Sequence, residues 1–71
     1  MTETLEGLKK VLVELERRAQ IMNNSKNPQV VEMQRIIYNE KRTTVLETAY
    51  YVLSKEEVEK LHEFNETLNF Y

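Results

Sequence analysis

Six apolar side chains recur along the first third of the chain at alternating steps of three and four residues. They are Leu5, Leu8, Leu12, Leu15, Ala19 and Met22. This spacing places all six on one stripe of an α-helix, in the a and d positions of three heptads. Such a stripe is unfavourable in water, so it predicts packing against another helix, either in the same chain or in a second copy.

The composition predicts an all-α fold. The 71 residues include one Gly and one Pro, while the helix-favouring residues Glu, Leu, Lys and Arg are abundant. An all-β chain needs Gly, Asn, Asp and Pro at its many turns, and this sequence has too few of them. A chain this short buries only about 60% of its unfolded surface, and without Cys it has no disulfide or thiolate metal site. Stability must therefore come from regular helix packing or self-association.

Charge and hydropathy limit the classes of partner. Ten basic and twelve acidic residues give a net charge of -2, with the two signs interspersed, whereas nucleic-acid binding is typical of chains with a basic excess or a basic stripe. The longest apolar run is far shorter than the ~20 residues of a membrane span. The acidic first residues lack the apolar segment of a signal peptide. We therefore expect a cytoplasmic location, no membrane contact and no nucleic-acid partner.

The first two predicted helices are joined by a polar loop. Helix 1 is expected at about residues 3–22 and helix 2 at about residues 28–52. The inner stripe of helix 2, which would face the leucine seam of helix 1, consists of Val30, Met33 and Ile37. A loop of about five residues favours antiparallel neighbours, so the sequence predicts an antiparallel helical hairpin.

Helix 2 has a polar middle, residues 39–44, which allows two interpretations. The helix either continues through this segment with a solvated middle, or breaks near Thr43, with Thr44 and Glu47 forming a weak capping box. The continuous helix is favoured because none of the six polar residues is Gly or Pro.

A third helix is expected at about residues 55–68, and it has the clearest start signal in the chain. Ser54 is the N-cap and Glu57 the third helical position, which completes a capping box, while Leu53 and Val58 occupy the positions of a hydrophobic staple. The chain then ends on an apolar segment. Free ends normally fray, so this one is expected to pack against something.

An apolar and aromatic group in the second half of the chain is the candidate partner interface. Tyr50 and Tyr51 are adjacent, about 100° apart on a helix, so one core does not easily bury both. Tyrosine is enriched at the energetic centres of protein interfaces. The alternative is that the group covers the end of the chain's own core, and both interpretations stay open. The candidate interface consists of Val45, Leu46, Ala49, Tyr50, Tyr51, Leu68, Phe70 and Tyr71.

The residues needed for catalysis are scarce. There is no Cys, no Asp to orient a histidine and no Gly-rich phosphate loop. Glu59 and His62 have the i, i+3 spacing of di-iron carboxylate bundles, but His62 lies at the edge of the apolar side of helix 3 and Glu59 further toward solvent. A solvated histidine is therefore favoured, and we expect no enzyme activity, no cofactor and no metal.

Two stretches resemble known helical proteins. The first helix, the loop and residues 28–32 resemble the sporulation regulators of the Spo-zero-E type, which are helical hairpins that bind a phosphatase target. Their signature contains Ser-Gln and an Asp, whereas residues 33–37 are Met-Gln-Arg-Ile-Ile and the chain has no Asp, so that activity does not carry over. Residues 45–53, together with residues 1–6, are similar to the small co-chaperones of type III secretion needle subunits. Those are helical hairpins that act only by binding partners.

The sequence thus favours a small non-enzymatic helical interaction protein: an adaptor, co-chaperone or inhibitor. It would bind another protein, a second copy of itself, or both, and a homo-oligomer is expected. Small helical proteins of bacteria and their phages provide the analogy of size and composition. The alternative is a small DNA-binding regulator with a degenerate helix-turn-helix at residues 45–65, where Val52 replaces the usual turn glycine and three glutamates oppose phosphate contacts.

Overall fold

Three α-helices account for most of residues 2–70, the part of the chain that the computed structural model describes. They are α1 (Thr2–Asn23), α2 (Pro28–Val52) and α3 (Lys55–Glu66). The all-α prediction is confirmed. Helix α1 is one residue longer at each end than the predicted range of 3–22. Helix α3 ends at Glu66, two residues before its predicted end, so residues 67 and 68 belong to a short non-helical tail.

Local capping determines where α2 begins. The Oδ1 atom of Asn27 accepts a hydrogen bond from the Gln29 N–H at 2.9 Å, and Pro28 has no N–H to leave unsatisfied at the first helical position. The N–H of Val31 donates to the Asn27 carbonyl, four residues earlier, at 3.2 Å. A short polar loop is therefore enough to end one helix and start another.

The polar middle of α2 stays helical. The hydroxyls of Thr43 and Thr44 donate to the carbonyls of Asn39 and Glu40, four residues earlier, at 2.9 and 3.0 Å. A threonine hydroxyl that bonds back in this way is satisfied without interrupting the helix. Helix α2 consequently runs without a break through residues 39–44.

The corner between α2 and α3 is held by a capping box. The Ser54 hydroxyl oxygen accepts from the Glu57 N–H at 3.3 Å, and the Glu57 carboxylate accepts from the Ser54 N–H at 3.2 Å. Both orphan donors at the start of α3 are thus satisfied. The Leu53 N–H closes the end of α2 on the Ala49 carbonyl at 2.9 Å.

Helices α1 and α2 lie antiparallel. Leu5, near the start of α1, shares a buried cluster with Ala49, near the end of α2. At the other end, Nε2 of Gln34 donates to Oδ1 of Asn23. The chain measures 41 by 16 by 16 Å, and the 25 residues of α2 span about 37 Å at ~1.5 Å per residue, so the hairpin sets the length of the molecule.

The hydrophobic core lies where α3 packs onto the hairpin. Its buried members are Leu5, Leu12, Ala49, Val58 and Leu61. Half-buried residues packed around them are Leu8, Val45, Leu46, Leu53, Phe64 and Leu68. Along the leucine seam, Ala19 is also buried, Leu15 is half-buried and Met22 is exposed. The seam thus faces the interior for most of its length and emerges at its carboxyl end.

The inner face of α2 differs from the prediction. Met33 and Ile37 are 62% and 43% exposed, and Gln34 is buried in their place. The Nε2 atom of Gln34 is bonded to Asn23, whose Nδ2 in turn donates to the Phe70 carbonyl at 2.8 Å, whereas the buried Oε1 atom of Gln34 has no hydrogen-bond partner among the described residues. Val30, the third residue of the predicted stripe, is half-buried. The prediction was therefore wrong for Met33 and Ile37, which lie ~100° or more around the helix from its buried side.

The segment after α3 runs back along α1. The Asn69 N–H donates to the Glu16 carboxylate at 2.6 Å, and Nε2 of Gln20 donates to the Asn69 carbonyl at 2.8 Å. Phe70 is buried, and the guanidinium of Arg42 lies 4.7 Å from the centre of its ring. This tail covers the same side of the hairpin as α3 and extends the cover toward the loop.

The core predicts a sharp contrast between two neighbouring residues. Leu12 is fully buried, whereas Val13 is 45% exposed. Leu12→Ala should therefore lower the free energy of unfolding by about 2–5 kcal/mol, and Val13→Ala by less than about 1 kcal/mol. Urea unfolding followed by circular dichroism measures both. Equal losses for the two variants would contradict the described core.

The capping box predicts a smaller effect. Ser54→Ala removes the acceptor for the Glu57 N–H and should cost about 1 kcal/mol of unfolding free energy, whereas Ser54→Thr retains a hydroxyl and most of the stability. The same urea titration compares the two variants. An unfolding midpoint unchanged by Ser54→Ala would show that this cap contributes nothing.

Candidate partner-binding surface

Several large apolar side chains of residues 2–70 remain in water. Those that are exposed are Val11, Val13, Ile21, Met22, Met33, Ile36, Ile37, Tyr50, Tyr51 and Val52. Single exposed apolar residues are ordinary, but contiguous ones mark interaction surfaces. Most of these residues fall on two surfaces, one along the hairpin and one at the corner between α2 and α3.

The larger surface is the side of the hairpin that faces away from α3. We name it the hairpin face, and its apolar residues are Val11, Leu15, Met22, Met33 and Ile37. On the α3 side of α1, the ammonium group of Lys9 lies 5.4 Å from the ring centre of Phe64. Val11 follows two residues later, about 200° further around the helix. It therefore projects from the opposite side of α1.

A groove of about 440 Å³ runs along the hairpin face between α1 and α2. It is lined by Val11, Leu15, Ile37, Glu40, Lys41, Thr44 and Val45. Valine, leucine and isoleucine side chains from both helices form its apolar lining, with charged groups of α2 beside them. All of these residues belong to α1 or α2, so the groove is open to a further helix from outside.

The smaller surface, which we name the aromatic corner, consists of Tyr50, Tyr51 and Val52 at the end of α2. Tyr51 is 88% exposed. The Tyr50 hydroxyl lies 3.1 Å from Nε2 of His62, within hydrogen-bond distance, and the two ring centres are 5.8 Å apart. Tyr50 is thus held against α3, whereas Tyr51 projects into solvent.

A cleft of about 640 Å³ separates the aromatic corner from α3. Its lining residues are Tyr50, Leu53, Lys55, Val58, Glu59, His62 and Glu63. Glu59 and His62, the pair with metal-ligand spacing, both lie here. Within residues 2–70, however, no three His, Cys, Asp or Glu side chains come together as a metal site would require.

The residues predicted for the partner interface fall into groups of different exposure. Tyr50 and Tyr51 are exposed. The half-buried residues, which pack against the core, are Val45, Leu46 and Leu68. The buried residues are Ala49 and Phe70. Tyr71 lies outside the described residues. Part of the group therefore completes the chain's own core. The two tyrosines are its most exposed members, and Val45 also lines the groove on the hairpin face.

Sequence reasoning missed an exposed aliphatic cluster of the hairpin, which is formed by Met33, Ile36 and Ile37. A signal was present, because residues 30–37 of α2 include apolar side chains on well over half of the helix circumference. One neighbouring helix covers a stripe of roughly 100°. The excess apolar surface of α2 must therefore face something other than α1.

The chain matches no protein-family model, and no curated protein or solved structure is significantly similar to it. The helices of residues 2–70 include none that combines the length and the hydropathy of a membrane span. The interpretation of the hairpin face therefore rests on its own geometry and chemistry.

A charge cluster lies beside the hairpin face on α1. The Glu14 carboxylate accepts hydrogen bonds from Arg17 at 2.6 and 3.1 Å and from Arg18 at 3.0 Å. These bonds, that of Arg17 first, lower the pKa of Glu14 to about 2. All three groups are in water, so solvent screening keeps their contribution to stability small.

The cluster predicts how Glu14 titrates. A carbon-13 NMR titration should give Glu14 a pKa of about 2, below its ordinary value of 4.5, and Arg17→Gln should move it back toward that value. Because the pKa is lowered in the folded chain, the stabilisation is present above pH 4.5 and is lost as the pH falls toward 2. A midpoint near 4.5 in the unaltered chain would show that the cluster does not form.

Proposed function

We propose that this chain is a small non-enzymatic interaction module, an adaptor, co-chaperone or inhibitor, that packs its hairpin face against another protein chain. The observation that carries the proposal is the exposure of Met33, Ile36 and Ile37 beside the open α1–α2 groove. Full burial of one such side chain is worth about 1.5–3 kcal/mol. Covering several half-exposed side chains together would therefore favour association strongly.

The shape of the hairpin face supports a helical partner. Two antiparallel helices form a groove with apolar residues of both helices and polar residues of α2 in its lining. An amphipathic helix binds such a groove through residues spaced three and four apart. The aromatic corner is a weaker candidate because it is shorter and Tyr50 is already engaged with His62.

The exposed negative charges of α3 make DNA an unfavourable partner. Glu56, Glu59 and Glu63 are exposed on the helix that a helix-turn-helix would insert into the major groove. Carboxylates repel phosphates, and phosphate neutralisation provides most of the affinity of DNA-binding proteins. We therefore propose a protein partner and no nucleic-acid activity.

Photo-crosslinking in living cells tests the proposal. A photoreactive residue is placed at Ile37, on the hairpin face, or at Val13, on the α3 side, and the two positions are matched in exposure at 43% and 45%. We expect protein adducts several-fold more abundant from position 37 than from position 13, since only a bound chain stays within reach.

The adducts also separate the possible outcomes. A discrete adduct from position 37 supports the proposal, whatever the identity of the captured chain. Equal labelling from both positions, or no adduct from position 37, would overturn it, because nearly equal exposure gives nearly equal random labelling.

A further inference from the structure

We infer, building on the proposed function, that the occupant of the hairpin face is a second copy of this chain. The two hairpins pack face to face around a two-fold axis parallel to the helices. In this arrangement α1 of each copy lies beside α2 of the other, and four helices enclose one apolar core. Three properties of the hairpin face support this arrangement: the register of its edges, their charge and its area.

The antiparallel hairpin defines the height of each residue along the long axis. Asn23 of α1 is bonded to Gln34 of α2, and these two position numbers add up to 57. Both helices rise by the same ~1.5 Å per residue. Any two residues of α1 and α2 whose numbers add up to about 57 therefore lie at the same height. A two-fold axis parallel to the helices preserves heights, so the rule also holds between the copies.

Beside the apolar residues of the hairpin face, each helix carries a row of four exposed or half-exposed residues. On α1 the row consists of Lys10, Glu14, Arg18 and Ile21, at steps of four, four and three. On α2 the row consists of Ile36, Glu40, Thr44 and Glu47, also at steps of four, four and three. Two residues of the α2 row, Glu40 and Thr44, also line the groove, and two of the α1 row, Lys10 and Glu14, also border Phe64 of α3. Residues at these steps form one edge of a helix. Because α1 and α2 are antiparallel, the residue numbers of the two rows increase in opposite directions along the long axis.

The height rule pairs the two rows residue by residue. Lys10 meets Glu47 of the second copy, and Arg18 meets Glu40 of the second copy within about one residue. Both are pairs of opposite charge, although Arg18 also bonds Glu14 of its own chain at 3.0 Å, and Glu14 falls opposite a neutral threonine. At the end of the rows Ile21 meets Ile36, and each of these isoleucines is 56% exposed in the single chain. The α1 row of one copy is thus complementary, in charge and in hydropathy, to the α2 row of the other copy.

The other symmetric arrangement does not fit the rows. A two-fold axis across the helices sets each row against itself in reverse. With that axis at the middle of the rows, Glu14 meets Arg18, but Ile21 meets Lys10 and Ile36 meets Glu47. Each apolar end of a row would then face a charge, and the isoleucine pair would be lost. The parallel axis is therefore the one that the two rows favour.

The outline of the molecule leaves room for a dimer interface of standard size. Extents of 41 by 16 Å enclose at most about 650 Å² in each copy, or about 1,300 Å² for the two together. Specific protein interfaces bury ~1,200–2,000 Å². Val11, Leu15 and Ile37 lie at the centre of this area, where a dimer excludes water most completely.

Disulfide trapping tests the register. The chain has no Cys, so every disulfide must come from introduced thiols. The double variant Ile21→Cys with Ile36→Cys brings two thiols together only across the proposed interface, since a disulfide needs Cα atoms within ~7 Å. We expect oxidation of the purified protein to give covalent dimers at least about ten times faster than oxidation of either single variant.

The double variant Gln20→Cys with Ile36→Cys is the matched control, because Gln20 lies at the height of Ile21 but on the α3 side of α1, where its Nε2 donates to the Asn69 carbonyl. It should behave like the single variants. Equal rates for all the variants, or a disulfide within one chain of the Ile21→Cys and Ile36→Cys variant, would overturn the inferred arrangement.

The mass of the purified chain provides the second test. Sedimentation equilibrium at about 100 μM, above the range typical of standard-size interfaces, should give twice the 8.5 kDa of one chain. Ile37→Lys should raise the dissociation constant of the dimer by about 100-fold, because it removes an apolar contact and buries a second positive charge in the groove that Lys41 already lines. Val13→Lys should change it by less than about three-fold. Circular dichroism checks that both variants remain helical.

These outcomes separate the inference from the proposed function. A purified chain that is monomeric at this concentration overturns the second copy as occupant, and adducts from position 37 to a different protein would then leave the proposed function intact. Absence of any adduct overturns both.

Discussion

The packing of one leucine stripe against α2 and α3 is the interaction on which the whole molecule depends. Leu12 is fully buried and shares its cluster with Leu5, Ala49 and Leu61, which belong to all three helices. A chain without Cys has no disulfide to replace these contacts. The alanine at position 49 lets the helices approach closely at the centre of the cluster, where a larger side chain would not fit. Helix α3 in turn covers this end of the hairpin because its start is fixed by the capping box.

The same packing leaves one side of the hairpin uncovered. Helix α3 and the tail lie on a single side, where they cover Leu12 and bury Phe70. Helix α2 carries apolar residues around more of its circumference than α1 can cover. Met33 and Ile37 thus remain in water. The hairpin face, which the proposed function uses, is exposed because the single further helix, α3, packs on the other side of the hairpin. A fourth helix would be needed to enclose the hairpin, and a second copy provides two.

Sequence periodicity and capping rules were sufficient for the helices but not for the inner face of α2. The leucine stripe, the Asn27-Pro28 start and the Ser54 capping box are local patterns, and each has a local physical cause. The burial of Gln34 is not local, since it depends on Asn23, 11 residues away, and Asn23 depends on the Phe70 carbonyl, 47 residues further along. A pattern that assigns apolar residues to the interior therefore selected Met33 and Ile37, and the exposed surface was found only once the position of α3 was known.

Isotope-filtered NMR on an equimolar mixture of labelled and unlabelled chains tests the central claim most directly, because it detects only contacts between copies. The account predicts intermolecular cross-peaks between the methyl groups of Ile21 in one copy and Ile36 in the other, and none from the buried methyl groups of Leu12. Intermolecular cross-peaks from Val13 on the α3 side, or none from the hairpin face, would contradict it.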